Sequence, residues 1–147
     1  MLWLICTNFI DIFGKNIILR DLATAFLQLT TSRTTFKKVQ SAKRAFYFLQ
    51  LYKKCREKSH PCETYYNIGR AYAHFSMFGN AIKYFEKSIN IWAQRNLSRS
   101  NAGETQNLTT DAVFKECVYN LMIIHKKMGN NAHASQLVTN FLWIYDF

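Results

Sequence analysis

Along the middle of the chain, apolar residues recur every three to four positions, the period of a helix with one buried face. The clearest run is 65–91, where Tyr65, Ile68, Tyr72, Phe78, Phe85 and Ile91 alternate with polar residues, and where Gly69 and Ala81 are small. It reads as two short amphipathic helices folded together, crossing closely where Gly69 and Ala81 leave holes and Tyr72 and Phe85 supply knobs. Upstream, Ile17, Ile18, Leu22, Ala25, Phe26 and Leu29 predict a helix over 17–30, and Val39, Ala42, Phe46, Leu49 and Tyr52 predict another from Phe36 to about Cys55. Thr30–Thr35 is a polar break between them. Residues 53–60 read as a charged connector. Pro61 then suits the first position of a new helix, and Glu63 its positive end. Residues 93–111 are polar, and at 19 residues they read as an exposed, mobile loop inserted between helix pairs. Thr109, Thr110 and Asp111 offer caps for the helix that follows.

The pattern repeats. With Gly69 as the eighth position, Tyr65 is the fourth, Ile68 the seventh, Tyr72 the eleventh, Ala81 the twentieth, Phe85 the twenty-fourth and Ser88 the twenty-seventh. This resembles the tetratricopeptide (TPR) repeat, a helix–turn–helix unit of about 34 residues. Tyr119-Asn120-Leu121 mirrors Tyr66-Asn67-Ile68 at a distance of 53 residues. There Met122 replaces Gly69, His125 replaces Tyr72, Ala134 matches Ala81, Val138 matches Phe85 and Phe141 matches Ser88, with Gly129 in the turn. Ala42 and Phe46 stand four apart as Ala81 and Phe85 do, which predicts a degenerate earlier repeat offset by 39 residues, without a small residue in the middle of its first helix. The expected architecture is all-α, a TPR-like right-handed superhelix of about three helical hairpins with a polar inserted loop. Its expected parts are an N-terminal helix fragment (1–16), a degenerate hairpin (17–60), a TPR (61–92), the polar insert (93–111) and a last TPR with an aromatic terminal helix (112–147). The aromatics of the FLWIYDF ending either fold back as a cap or remain a sticky end.

Composition supports this reading. The 147 residues are 49% hydrophobic and 16% aromatic, with one proline and five glycines, as long packed helices require and disordered chains do not show. The N-terminal MLWLICTNFIDIF lacks a basic flank, and Asp11 interrupts it short of a membrane span. Net charge is +10, and nine of the nineteen basic residues lie between Arg33 and Lys58 against the single acid Glu57. That asymmetry predicts an acidic partner, protein or nucleic acid. The basic patch comprises Lys37, Lys38, Lys43, Arg44, Lys53, Lys54 and Arg56, with Lys58 beyond. Its bland reading is a solvated helix face, its sharper one a contact with phosphate or an acidic subunit.

Candidate chemistry is sparse. There is no glycine-rich phosphate loop, no HExxH, no nucleophile elbow and no paired-carboxylate motif, so no enzyme and no cofactor are expected. Among Cys6, Cys55, Cys62 and Cys117, only Cys55 and Cys62 cluster with a histidine, His60, and no CxxC knuckle or nearby fourth ligand makes a zinc site of them. Asn96-Leu-Ser98 and Asn107-Leu-Thr109 are sequons that matter only in a secreted chain. His125, at a tyrosine position of the repeat, reads as a core or groove residue.

TPRs bind through a concave face lined by their first helices. The lining positions are Glu63, Tyr66, Asn67, Arg70 and His74 in the central repeat, and Glu116, Tyr119, Asn120, Ile123 and Lys127 in the last. Asn67 and Asn120 suit either a partner's backbone or a neighbouring helix, and Arg70 and Lys127 favour acidic partners.

The AFYFLQLY helix (45–52), the Cys62-Glu63 connector, the YYNIGRAYAHFSMFGNAIKYFEKSINI repeat, the polar insert and the closing YNLMIIHKKMGN repeat together resemble the C-terminal end of the TPR subunit of RNA polymerase III transcription factor IIIC (TFIIIC). The resemblance covers roughly residues 20–147 and is strongest at 62–92 and 117–134. Met122, His125 and the first forty residues depart from it, and the family's long N-terminal TPR arrays, associated with recruiting factor IIIB, have no counterpart. It implies a nuclear scaffold of the polymerase III transcription machinery, for which sister subunits are the expected partners; an indirect or weak DNA contact stays open. A nucleic-acid-binding helical module and a co-chaperone clamp for acidic C-terminal peptides are the alternatives. Tyr66 and Tyr119 occupy positions where such a clamp often has lysine.

Overall fold

A computed structural model describes residues 15–29, 35–102 and 108–142. All described secondary structure is helical, with no strand among the described residues. In order these are α1 (Lys15–Leu29), α2 (Thr35–Arg56), α3 (Pro61–His74), α4 (Phe78–Ala102), α5 (Leu108–Lys127) and α6 (Asn131–Leu137), which runs into a wider turn at Val138–Leu142. The chain forms two compact units, Met1–Ser59 and His60–Phe147. The expected N-terminal fragment lies, but for its last two residues, outside the described residues.

In the first unit α1 packs against α2. Leu19 and Ala23 of α1 and Ala45, Leu49 and Tyr52 of α2 are buried. This corrects the register expected for α2. The buried Ala45–Leu49–Tyr52 set repeats the spacing of Ala81, Phe85 and Ser88 at an offset of 36, not 39, and Ala42 and Phe46 are only half-buried. Both alanines are followed by a large apolar residue four positions on, so the sequence pattern fits either, and packing against α1 selects the later one. The small residue expected to be missing from the first helix is Ala23, at 1% exposure, whereas Ile17 and Ala25 face outward. The Phe26 and Phe48 rings stack at 5.6 Å across the pair, and the Arg44 guanidinium lies 5.7 Å from the Phe26 ring centre. Helix α2 also absorbs the start of the expected connector, ending at Arg56.

In the second unit α3 opens with Pro61 in its first turn, and the Thr64 hydroxyl donates to the His60 carbonyl at 2.7 Å. Its end is turned by Ser76 in the left-handed region (φ 57°), with the amides of Ser76 and Met77 donating to the carbonyls of Ala73 and Tyr72. Helix α4 returns against α3, and the close crossing falls where the small residues predict it. A Cβ placed on Gly69 would sit 2.8 Å from two ring atoms of Phe85, so only glycine lets this ring lie flat on α3. Tyr72 is less a knob than a lid: it is half-buried, stacked at 5.4 Å on Tyr84. Ala81 and Phe85 join Cys117, Leu121 and Ile124 of α5 in one buried cluster.

The expected insert is largely helix. Helix α4 continues to Ala102 and α5 begins at Leu108, leaving only 103–107 outside the described residues. The reason is local: residues 93–102 contain no proline and no glycine, so polarity alone does not break the helix begun at Phe78. Trp92 and Phe114, near the two ends of this stretch, stack at 3.9 Å and fasten α4 to α5.

The α5–α6 turn uses Gly129 at φ 78°, as its position in the repeat predicts. The Asn130 amide closes it on the His125 carbonyl, and the Asn130 side chain accepts from the His133 amide at the start of α6. Ala134 is buried like Ala81, but Val138, in the place of Phe85, stays 37% exposed. With Met122 where the earlier hairpin has Gly69, no hole awaits the larger side chain. Of the terminal aromatics, Phe141 folds back edge-on to Phe114 at 5.7 Å. Residues 143–147 lie outside the described residues.

Candidate partner-binding face

All ten predicted lining residues stand on α3 and α5, and these two helices pack side by side. Four of them are tied together by described contacts. The Tyr66 hydroxyl donates to a Glu116 carboxylate oxygen at 3.0 Å, joining the two helices. On its inner side the Tyr66 ring leans on Phe85, with centroids 6.0 Å apart, and on its outer side Arg70 lies 5.6 Å from the ring centre. Asn120 donates its amide to the Glu116 backbone carbonyl at 2.7 Å. Tyr66 therefore spans from core to surface, and Glu116 is held by side chain and backbone alike. Burial first, and the bond to Glu116 next, push the Tyr66 hydroxyl up to about 12, with Arg70 pulling the other way, so Tyr66 remains a neutral donor at any physiological pH.

The two asparagines differ in setting. Asn120, half-buried, spends one donor on its own helix, which favours a structural role for that group. Asn67 is half-buried on α3, and it too has a partner. Glu63 and Ile123 are half-buried, whereas Arg70, His74, Glu116 and Lys127 are exposed. Tyr119 holds the repeat position of Tyr66 but is 51% exposed. Tyr66 is covered by α5, and the flank of α5 that bears Tyr119 is open.

The basic patch belongs to the other unit. On α2, Lys38, Lys43, Arg44 and Lys54 are exposed, and Lys53 and Arg56 are half-buried and engaged in contacts of their own; the side chain of Lys37 lies outside the described set. Among the described residues the patch is thus divided between exposed cations and half-buried ones with contacts of their own.

Two clusters escaped the sequence reading. Ser88 is fully buried and donates to the Cys62 carbonyl at 2.8 Å, beside Cys117, which takes the place in α5 that the buried Thr64 has in α3. Burial pushes the Cys117 thiol up to about 12 against the partly compensating hydrogen bond of Ser88, and burial raises Cys62 as well, so both are inert packing thiols. The second cluster is His125 with His133, edge to face at 4.5 Å between α5 and α6. The repeat position of His125 reads as core or groove, and nothing in the sequence marks its partner. Among the described residues no group of three or more His, Cys, Asp or Glu side chains is placed to hold a metal ion, and no helix is long and apolar enough to cross a membrane. No family model matches the chain, and neither the curated proteins nor the solved structures yield a significant match.

Proposed function

We propose that the chain is a protein-interaction scaffold of TPR type that binds its partner across the face shared by α3 and α5, with no catalytic role. The observation that carries this reading is the pairing of a glycine-dependent hairpin, Gly69 against Phe85, with a neighbouring first helix tied to it by Tyr66 and Glu116. Stacked hairpins that align their first helices present a continuous surface for another chain. That surface carries both signs, Arg70 beside Glu116, and it mixes aromatic, amide and aliphatic groups. A mixed face suits a folded or helical protein segment better than an acidic C-terminal peptide, which Glu116 would repel. The likeness of the repeats to the TPR subunit of factor IIIC makes sister subunits of a nuclear transcription complex the first partners to test.

The tagged chain is used to capture partners from nuclear extract, identified by mass spectrometry. Replacing Tyr66, Asn67 and Arg70 together by Ala is expected to abolish specific capture while the helical circular-dichroism spectrum is kept. Undiminished capture by that variant would remove this face from consideration.

A further inference from the structure

The outward side of α2 carries an ordered stripe. Gln40, Lys43, Tyr47, Gln50 and Lys54 follow one another at alternating steps of three and four residues, so they share one face of the helix, with Arg44 beside them, and all six are exposed. No acidic residue stands anywhere in α2. Tyr47, at 60% exposure, lies at the centre, with cations one turn before it and an amide, then a cation, in the two turns after it. Its ring meets Phe48 edge-on at 5.6 Å, and Phe48 is in turn stacked on Phe26, over which Arg44 lies. The aromatic array that holds α1 to α2 thus ends in a ring presented to solvent among positive charges.

We infer that this stripe binds single-stranded nucleic acid, with Tyr47 as a stacking platform for a base and Lys43, Arg44 and Lys54 along the phosphates. The positive charge selects a polyanion. The exposed ring selects among polyanions, because a flat exposed aromatic gains from an open base face, which a single strand offers and a duplex keeps within its stack. Gln40 and Gln50 add donors and acceptors for base edges on either side. An acidic protein segment would use the cations and leave the ring idle. This surface lies in the other unit from the α3–α5 face, so the inference stands apart from the scaffold reading.

The test is fluorescence anisotropy of the full-length chain with a labelled oligothymidylate, an oligouridylate and a duplex of the same length, across roughly 50 to 200 mM salt. Single strands are expected to bind more tightly than the duplex. Tyr47→Phe should retain that affinity and Tyr47→Ala should weaken it about 5- to 100-fold with the salt slope unchanged. Replacing Lys43 and Lys54 by Gln should lower the slope of log affinity against log salt by ~1.4. Because Tyr47 and both lysines are exposed, all three variants are expected to fold, and circular dichroism checks this. Equal binding of duplex with indifference to Tyr47→Ala would overturn the inference in favour of a charge-only contact. So would displacement of the oligonucleotide by polyglutamate at lower concentration than by unlabelled single strand, or an absence of binding at the lowest salt.

Discussion

Gly69 and Phe85 are one packing unit. In a helix interior glycine costs about 1 kcal/mol relative to alanine, so Gly69→Ala improves propensity while pressing a methyl into a ring that is fully buried. Overpacking of this kind costs ~1–3 kcal/mol, and a Cβ at 2.8 Å from ring carbons cannot be relieved by rotating the end of a flexible chain. Gly69→Ala is therefore expected to lower stability by about 1 kcal/mol net and Gly69→Leu by ~3 kcal/mol or more, read from urea midpoints. In a Phe85→Leu background the Gly69→Ala penalty should shrink, because the ring is its cause. The histidine pair yields a pH prediction at the same scale. Burial first, then His133, hold His125 below the ordinary histidine range, and Glu86 opposes them. The unfolded chain, titrating near 6.5, then takes up the proton more readily than the folded one. Stability from this site is present above that pH and is lost as pH falls from there toward the lower folded value. Thermal melts between about pH 7.5 and 5.5 should show this loss, and His133→Gln should flatten it; an unchanged pH dependence in that variant would mean the pair is not coupled.

Among the elements, α4 carries the largest departure from expectation, for its polar end is helix where an exposed loop is read from composition. The stack of Trp92 on Phe114, and of Phe114 against Phe141, gives that end something to pack on. Arg95 is half-buried within the helix, so trypsin is expected to spare it in the native chain. Trp92→Ala removes a half-buried ring together with its stacking, at a cost of ~2 kcal/mol, and should open Arg95 to cleavage. Mass spectrometry of the earliest fragments checks both. Fast cutting at Arg95 in the wild type would mean that this segment is an exposed loop. Element α6 shows the opposite case: its sequence keeps the alanine of the repeat but has no glycine to face, and its helix is short and its outer residues exposed.

For the whole molecule, charge is divided unequally. Residues 1–59 hold eleven basic and three acidic residues, whereas 60–147 hold eight and six. The second unit contains the described core cluster of Ala81, Phe85, Cys117, Leu121 and Ile124, and every described contact of the α3–α5 face. Residues 60–147 produced alone are accordingly expected to melt cooperatively with a helical spectrum. A broad, non-cooperative melt would show that the unit depends on the rest of the chain.

Local pattern was enough for the helical class, the hairpin at 65–91 and its crossing, the glycine turn at 129 and the helices that carry the lining residues. Each of these follows from local period or from a backbone that only a small residue or glycine permits, and such constraints are written in neighbouring residues. Tertiary structure decided what pattern left open. It chose Ala45 over Ala42, because two equally spaced sets compete until α1 covers one of them. It continued α4 through polar residues, because 93–102 holds no proline or glycine to stop a helix. It paired Tyr66 with Glu116, His125 with His133 and Cys117 with Ser88, because contacts between residues far apart in the chain leave no periodic trace. It also turned Tyr47 outward in the middle of a basic face, where spacing alone did not separate the stripe from the charges around it.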